Sequence, residues 1–448
     1  MKKFLFLLLI ISTFGSDFAF AKADSVTINL VRYFSRDIFG DNGTAYLKPM
    51  VEGINATSNS SFFSTAYVPK KVNKPYFKFG LHGMVGVVPS DMKNYTPNIP
   101  TEQFSLTELG KYMTFEWVNG SPQITSIPDT AALAYYALKT ILYDAVQAGD
   151  ITIPTTSATV LGSENKNLYI SNEVLKETMK KSPAYAFLPQ NFRDTLDKYI
   201  GQFPESFSLP KGANMNVFGA GIPQLEIGSL YGTEALIRFF PPVDMGENIG
   251  DFAFWGFGLK HSISQYFTTY KPGYDTATSY ESRQDLEETP FDLSIQAVYQ
   301  GTSLKNKIGV TEADLDAHAQ FWDLNLQFSK RIKNWINIYT GVSYEHVSIN
   351  ADYTYAIPWE MQIQLGMVTK KLDAQGNPLI DPATGWPIYE TNEEYPGDTQ
   401  PQTSKIKIKD TNWKWIIGLS KDIGRFTIFA DYNFSSFGIF SGGVSYRF

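Results

Sequence analysis

Alternation of apolar and polar residues dominates the second half of the chain. In 321–329 (FWDLNLQFS), Trp322, Leu324, Leu326 and Phe328 share one parity, and Asp323, Asn325, Gln327 and Ser329 share the other. A strand turns such a run into one apolar and one polar face. The pattern recurs in 289–300, where Phe291, Leu293, Ile295, Ala297 and Tyr299 oppose Asp292, Ser294 and Gln296. It recurs again in 334–346, 412–420 and 425–434. Each segment has about ten residues, the length of a tilted strand crossing a bilayer. Aromatic residues close the apolar faces, where interfacial girdles would lie. Toward the first half, 76–88 alternates, 223–242 reads as a hairpin turning at Tyr231-Gly232, and 251–263 reads as the next strand. Residues 45–56 and 103–118 are expected as further strands.

Counting back from Phe448 gives strands at 437–448, 424–434, 403–421, 334–350, 318–330, 289–300, 251–262, 233–240, 222–230, 103–118, 76–89 and 45–56. The expected fold is all-β: a transmembrane antiparallel β-barrel of about 12 strands, within a range of ten to fourteen, with a helical insert. This scheme puts KRIKN (330–334) and KDIG (421–424) at the periplasmic end and the Pro/Gly-rich stretch 372–402 outside. The polar segment 271–288 falls, against that trend, on the periplasmic side. Residues 351–371 either extend a hairpin or add two strands.

Residues 126–203 break the rhythm. Pro128 and Asp129 open a run that Gly149 closes, and Leu133, Tyr136, Ala137, Ile141 and Ala145 lie at helical spacing between them. NEVLKETMKK (172–181) and PQNFRDTLDKYI (189–200) read as two shorter helices. Such an insert would plug the lumen, cap the barrel, or form a loop domain with no part in transport.

Composition narrows the compartment. Lys2 and Lys3 precede an apolar run of about eleven residues, and Ala19-Phe20-Ala21 is a small-x-small exit, so 1–21 reads as a signal peptide and 22–448 as the barrel. Cleavage after Ala23 is the nearby alternative. The absence of cysteine rules out disulfides and a lipoprotein anchor. A formal net charge of −7 argues against nucleic acid as a partner. With 33 Phe, 26 Tyr and 8 Trp but no uninterrupted apolar run long enough for a spanning helix after residue 21, any membrane crossing must be made by strands.

The last residues, SGGVSYRF, carry Ser441, Gly443, Tyr446 and Phe448 in the order polar-x-Gly-x-x-aromatic-x-aromatic. This resembles the assembly signal of bacterial outer-membrane barrels. It implies the bacterial outer membrane as location, with membrane lipid and the barrel-insertion machinery as partners. More widely, QLEIGSLYGTEALIRFFPP, FWGFGLKHSISQYF, TPFDLSIQAVYQ and LNLQFSKRIKNWINIYTGVSYE resemble an uncharacterised family of outer-membrane barrels common in Bacteroidota-like bacteria. The general look is similar to fatty-acid-transporter-like barrels, which have fourteen strands and an N-terminal lumen plug. Residues 22–44 carry no signature of such a plug.

Alternation assigns Lys78, His82, Glu226, Glu234, Arg238, Lys260, Asp292, Asp323, Glu345, Lys414, Asp431 and Arg447 to the lumen. A charge-selective pore would show a ring of one sign. Mixed signs suit salt-bridge networks that fill a narrow barrel, or the lining of a solute path. Of the four histidines, His261 and His346 stand near serines, His346 sharing a strand face with Ser348, as a lipid-acting enzyme would require. His346 falls on the apolar parity, however, which suits an interfacial histidine. No metal-ligand spacing, P-loop or dinucleotide fingerprint is present, so no cofactor or metal is expected. The acidic stretch Asp381, Glu390, Glu393, Glu394 and Asp398 lacks an ordered calcium spacing. The expected function is non-enzymatic: passive transport or binding of a small solute, hydrophobic ones included. The alternatives are a structural or surface-interaction barrel, and a lipid-acting barrel enzyme.

Overall fold

Ten antiparallel strands close into a barrel in a computed structural model that describes residues 22–70, 74–118, 121–163, 166–182, 185, 190–244, 250–267, 291–308, 313–332, 335–382 and 387–448. The segments 1–21 and 271–288 and the last two residues of KRIKN lie outside the described residues. The strands are β1 (Tyr76–Val87), β2 (Val217–Leu230), β3 (Thr233–Asp244), β4 (Asp251–Ser262), β5 (Asp292–Ile308), β6 (Ala313–Ile332), β7 (Ile336–Tyr355), β8 (Gln402–Ile423), β9 (Phe426–Phe434) and β10 (Ile439–Arg447). Each pairs with its neighbours in sequence, and β1 closes the ring on β10 through Lys78↔Arg447 to Gly86↔Ile439.

The barrel has two unlike ends. At the turn end, β2 and β3 meet at Tyr231 and Gly232, both with positive φ, and Gly424 makes the tight turn between β8 and β9. At the cap end, the chain leaves β1 at residue 88 and returns at 217, and leaves β7 at 356 and returns at 402. The first excursion carries α2 (Thr130–Ala148), α3 (Asn172–Lys181) and α4 (Gln190–Gly201). Asp129 caps α2 by accepting the Ala132 N–H at 3.0 Å, and Gly149 ends it in the left-handed region.

Two expected barrel strands are not part of the barrel. Residues 45–56 belong to α1 (Ser25–Ser58), in which Leu47, Met50 and Val51 are buried and Pro49 sits inside the helix. In 103–118, Ser105 caps the helical turn Leu106–Leu109, and Thr114–Val118 pairs with Ser121–Ser126 as a hairpin separate from the barrel. Residues 351–371 finish β7 and then form the short helix Trp359–Gln364, so they add no barrel strand. The count is therefore ten.

Strands β5 to β8 run further than bilayer length, and the faces of β6, β7 and β8 exchange character partway. Along β6, Trp322, Leu324, Leu326 and Phe328 point outward and are exposed, while Asp323, Asn325, Gln327 and Ser329 are buried inside. Nearer the cap end the same outward parity carries Asp314, Asp316, His318 and Gln320, and the inward parity carries Leu315, Ala317, Ala319 and Phe321. β7 makes the same exchange. Outward Ile338, Val342 and Tyr344 give way to Ser348, Asn350 and Asp352, and inward Asn337, Ser343 and Glu345 give way to Val347, Ile349 and Ala351. In β8, outward Trp413, Trp415 and Ile417 follow outward Lys405, Lys407 and Lys409. A ring of Trp322, Tyr344, Trp413 and His346 marks the boundary, with neighbouring centroids 5.0–5.7 Å apart. Along β6, β7 and β8 the wall thus has a polar interior under an apolar coat toward the turn end, and an apolar interior under a polar coat toward the cap end, whereas the outward face of β1 stays apolar from Phe77 to Val87. From Ile338 to His346, at about 3.4 Å per residue and a tilt of about 40°, the apolar coat is roughly 20 Å tall.

Candidate functional site in the lumen

The lumen is occupied by residues 25–70. At its start, α1 stands among the cap helices, with Phe34 packed edge-on against Phe203 and Phe207 at centroid distances of 5.3 and 4.5 Å. Ala23 donates to the Leu365 carbonyl, and Arg32 pairs with Asp398 at 2.6 Å. The helix then enters the apolar part of the barrel, where Phe39 meets Tyr355 at 4.9 Å and Gly53 lies directly under the Phe218 ring. At Ser58 the helix stops. Residues 59–70 continue as an extended strip through the polar part, ending where the Ser229 hydroxyl bonds the Pro69 carbonyl.

The inward charges meet this strip. Arg238 is the central contact. Its guanidinium donates to the carbonyls of Ser58 (3.1 Å), Ser60 (2.8 Å) and Ser61, its Nε donates to Gln224 (2.8 Å), and it lies 4.3 Å over the Phe62 ring. Lys414 pairs with Glu345 at 2.6 Å and donates to the Asn59 carbonyl at 3.1 Å. Lys260 pairs with Glu234 at 2.6 Å, and Tyr76 donates to the same carboxylate at 2.5 Å. Lys78 pairs with Glu226 at 3.1 Å, and Gln224 donates to Glu226 at 2.7 Å. Asp431 accepts from Tyr339 (3.0 Å), Asn433 (2.9 Å) and Ser61 (3.4 Å). Asp323 accepts from Asn325 at 2.6 Å and from Ser343. His82 places Nδ1 2.9 Å from the Ser61 carbonyl, while its buried Nε2 has no hydrogen-bond partner among the described residues. Asp292 is buried in the wall. Arg447 lines a polar turn-end cavity together with Lys78, Glu226, Glu234 and Asp422.

The structure thus sets His82, Arg238, Lys260 and Lys414 against the carbonyls of this strip, and pairs Lys78 with Glu226, Lys260 with Glu234 and Lys414 with Glu345 in the wall beside it. Sequence reasoning missed the strip itself. The segment ATSNSSFFST (56–65) is rich in Ser, Asn and Thr, which offer many short hydrogen-bonding groups. That was the available signal. Residues 22–44, which carry no signature of a transporter-type plug in the sequence, include the start of α1, which begins at Ser25 and has much of its length buried. The helix's exposed edge, Asp41, Thr44 and Lys48, is narrow, and buried Asn42, Gly43 and Asn55 interrupt the apolar spacing that would reveal a helical period. The helical insert 126–203 stands at the cap end, where α2 packs against α1 above the lumen.

Other assigned residues lie elsewhere. In β10, Ser441 is inward and bonded by Asn433 at 3.4 Å, Gly443 faces His82 across the β1 pair, and Tyr446 and Phe448 face outward with rings 5.1 Å apart. His346 bonds Thr411 at 3.1 Å in the aromatic ring, and His261 contacts Thr233, Tyr266 and Gln265. These partners include no carboxylate that could orient either histidine for general-base work. Asp398 is taken up by Arg32, and no metal-ligating cluster occurs among the described residues.

One apolar cavity remains inside the wall near the face exchange. It lies between Ile54 of α1 and Phe218, Ile222, Phe240, Phe252 and Phe254, with about 460 Å³ of empty space counting its open mouth.

No curated protein matches the chain. Among solved structures, Ail, the attachment invasion locus protein of Yersinia pestis, is 12% identical, covering 48% of this chain and 93% of that one at a TM-score of 0.20. The translocator domain of the autotransporter NalP from Neisseria meningitidis is 9% identical, covering 92% of this chain and 99% of that one at a TM-score of 0.21. Scores this low carry no argument about fold or function. The model of a family of unknown function, DUF6588, matches residues 1–448, and the chain belongs to that family.

Proposed function

We propose that the protein is a bacterial outer-membrane barrel, kept shut by its own segment 25–70, that binds a small hydrophobic solute rather than passing ions. The exchange of faces at Trp322, Tyr344 and Trp413 carries the membrane reading: a soluble barrel gains nothing from a belt of exposed Leu324, Leu326, Val342 and Ile417. The polar lumen, filled by ion pairs and by Arg238 on the strip carbonyls, argues against steady conductance. The aromatic cavity beside α1 supports an apolar solute. By the usual arrangement of short periplasmic turns and long outer loops, the cap end faces outward. Tyr446 and Phe448 on the outer face of β10 suit recognition by the insertion machinery.

Two assays test this. In planar bilayers the purified chain should be electrically silent, and a steady open-pore current would refute the shut lumen. A naphthylamine dye should bind the reconstituted protein saturably, and the absence of saturable binding would refute the solute reading. The size of the 88–216 excursion favours, as a second reading, a surface-interaction barrel whose role lies in the cap.

A further inference from the structure

The barrel wall is not sealed all the way round. β2 and β3 are joined by only five registered pairs, from Leu230↔Thr233 to Gln224↔Arg238. Beyond them, 217–223 stays paired to β1 on its other side, and 239–240 and 243–244 stay paired to β4. The two facing edges have no strand partner among the described residues. The sequence explains the split. Pro223, Pro241 and Pro242 have no N–H to give to a ladder, and the register of β3 on β4 shifts where the two prolines stand. On the β2 side the residues are small: Gly219, Ala220 and Gly221.

The gap opens at the level of the apolar coat. Gly221 and Gly219 lie beside Gly83 and Val85 of β1, and outward Leu81, Val85 and Val87 are 57%, 49% and 64% exposed. Behind the gap lies the aromatic cavity, which residues 218–222 help to line. Its two hydroxyls are already used within α1, Thr57 donating to the Gly53 carbonyl at 2.7 Å and Ser58 to the Asn55 carbonyl at 3.3 Å. No side-chain polar group is left there to greet a polar head. The rings of Phe240, Phe252 and Phe254 crowd one another, with centroids 5.9–6.4 Å apart, so the cavity is narrow.

We propose that the β2–β3 seam is a lateral entrance through which one unbranched aliphatic chain passes from the bilayer into this cavity, its polar head remaining outside the wall. This rests on the outer-membrane, solute-binding reading above and names the ligand class and its route. The chain could belong to a free fatty acid or to a membrane phospholipid, which share this chemistry.

The test uses the full protein in lipid vesicles and two probes: palmitate with a diazirine near its methyl end, and phosphatidylethanolamine carrying the same acyl group. After irradiation, labelled residues are mapped by mass spectrometry. Gly221→Trp sets an indole over the gap, and an added Cβ at Gly221 meets nothing within 4 Å, so the fold should tolerate it. Ala297→Trp, on the outward face of β5, is the control. Label is expected on Phe218, Phe240, Phe252 or Phe254, falling roughly tenfold in Gly221→Trp, as loss of burial of a couple of methylenes would give, and unchanged in Ala297→Trp. The probe that labels identifies the source of the chain. Cavity labelling that persists in Gly221→Trp would overturn the lateral entrance but leave solute binding standing. Label confined to outward residues such as Leu324 and Leu326 would overturn both.

Discussion

Arg238 should act as the bolt on the lumen. Alanine at this position removes three hydrogen bonds from a charged donor to the carbonyls of Ser58, Ser60 and Ser61, and the guanidinium's contact with Phe62. Such bonds contribute about 1.5–3 kcal/mol each. Water entering the vacated space recovers part of this, because bridging waters satisfy carbonyls nearly as well. The lower end, about 4 kcal/mol in total, is the appropriate figure, and it shifts the balance of seated to released strip roughly a thousandfold. Single-channel recording reads the shift directly. The unaltered protein should stay silent, Arg238→Ala should show discrete openings, and Arg238→Lys should fall between, since an ammonium cannot reproduce the planar fork. Limited proteolysis should cut 59–70 faster in the alanine variant. The reasoning fails if folded Arg238→Ala is as silent and as protease-resistant as the parent.

Lys414→Met should destabilise the barrel by about 3–5 kcal/mol in denaturant titrations from vesicles, because Glu345 is left charged and buried; Lys414→Met with Glu345→Leu should recover most of the loss. At the cap end, burial opposes ionisation of Asp24, but the Thr27 N–H and the Lys198 ammonium outweigh it and hold the carboxyl below its ordinary value. A depressed folded value stabilises above the unfolded one and is lost as pH falls, so amide exchange over 25–30 should quicken below about pH 4 and lose that dependence in Asp24→Ala. Partial exposure keeps this effect to about 1 kcal/mol or less. Gly53→Val should cost about 1–3 kcal/mol in thermal unfolding, since its Cβ would lie 2.2 Å from the Phe218 ring, and Phe218→Ala should relieve the clash.

The legible part of this fold is the part where one face meets water or lipid. Alternation around Trp322, Ile338 and Trp415 places eight strands near their true positions and both hairpin strands of 217–244, because a two-sided wall must carry a period of two. The capped amphipathic α2 is legible for the same reason, from Asp129 to Gly149. What has two like surroundings is not legible. Most of α1 touches protein on several sides, so Leu30, Phe34 and Ile38 show helical spacing while Asn42, Gly43 and Asn55, equally buried, blur it. The exchange of faces was present in DLDAHAQFWDLNLQFS as a change of parity at Phe321-Trp322, but a reading that ends each strand at ten residues stops there. The lumen charges followed from parity alone. Their partner, the backbone of 58–65, did not, since carbonyls leave no mark in a sequence.

The position of the membrane belt is the claim on which the rest depends. The chain has no cysteine, so single cysteines can be placed along the outward parity of β6 at 314, 316, 318, 320, 324, 326 and 328. A membrane-impermeant maleimide on intact cells should label the first four and spare the last three, with the break at Trp322. Uniform labelling along the strand, or none without permeabilising the cells, would contradict the account.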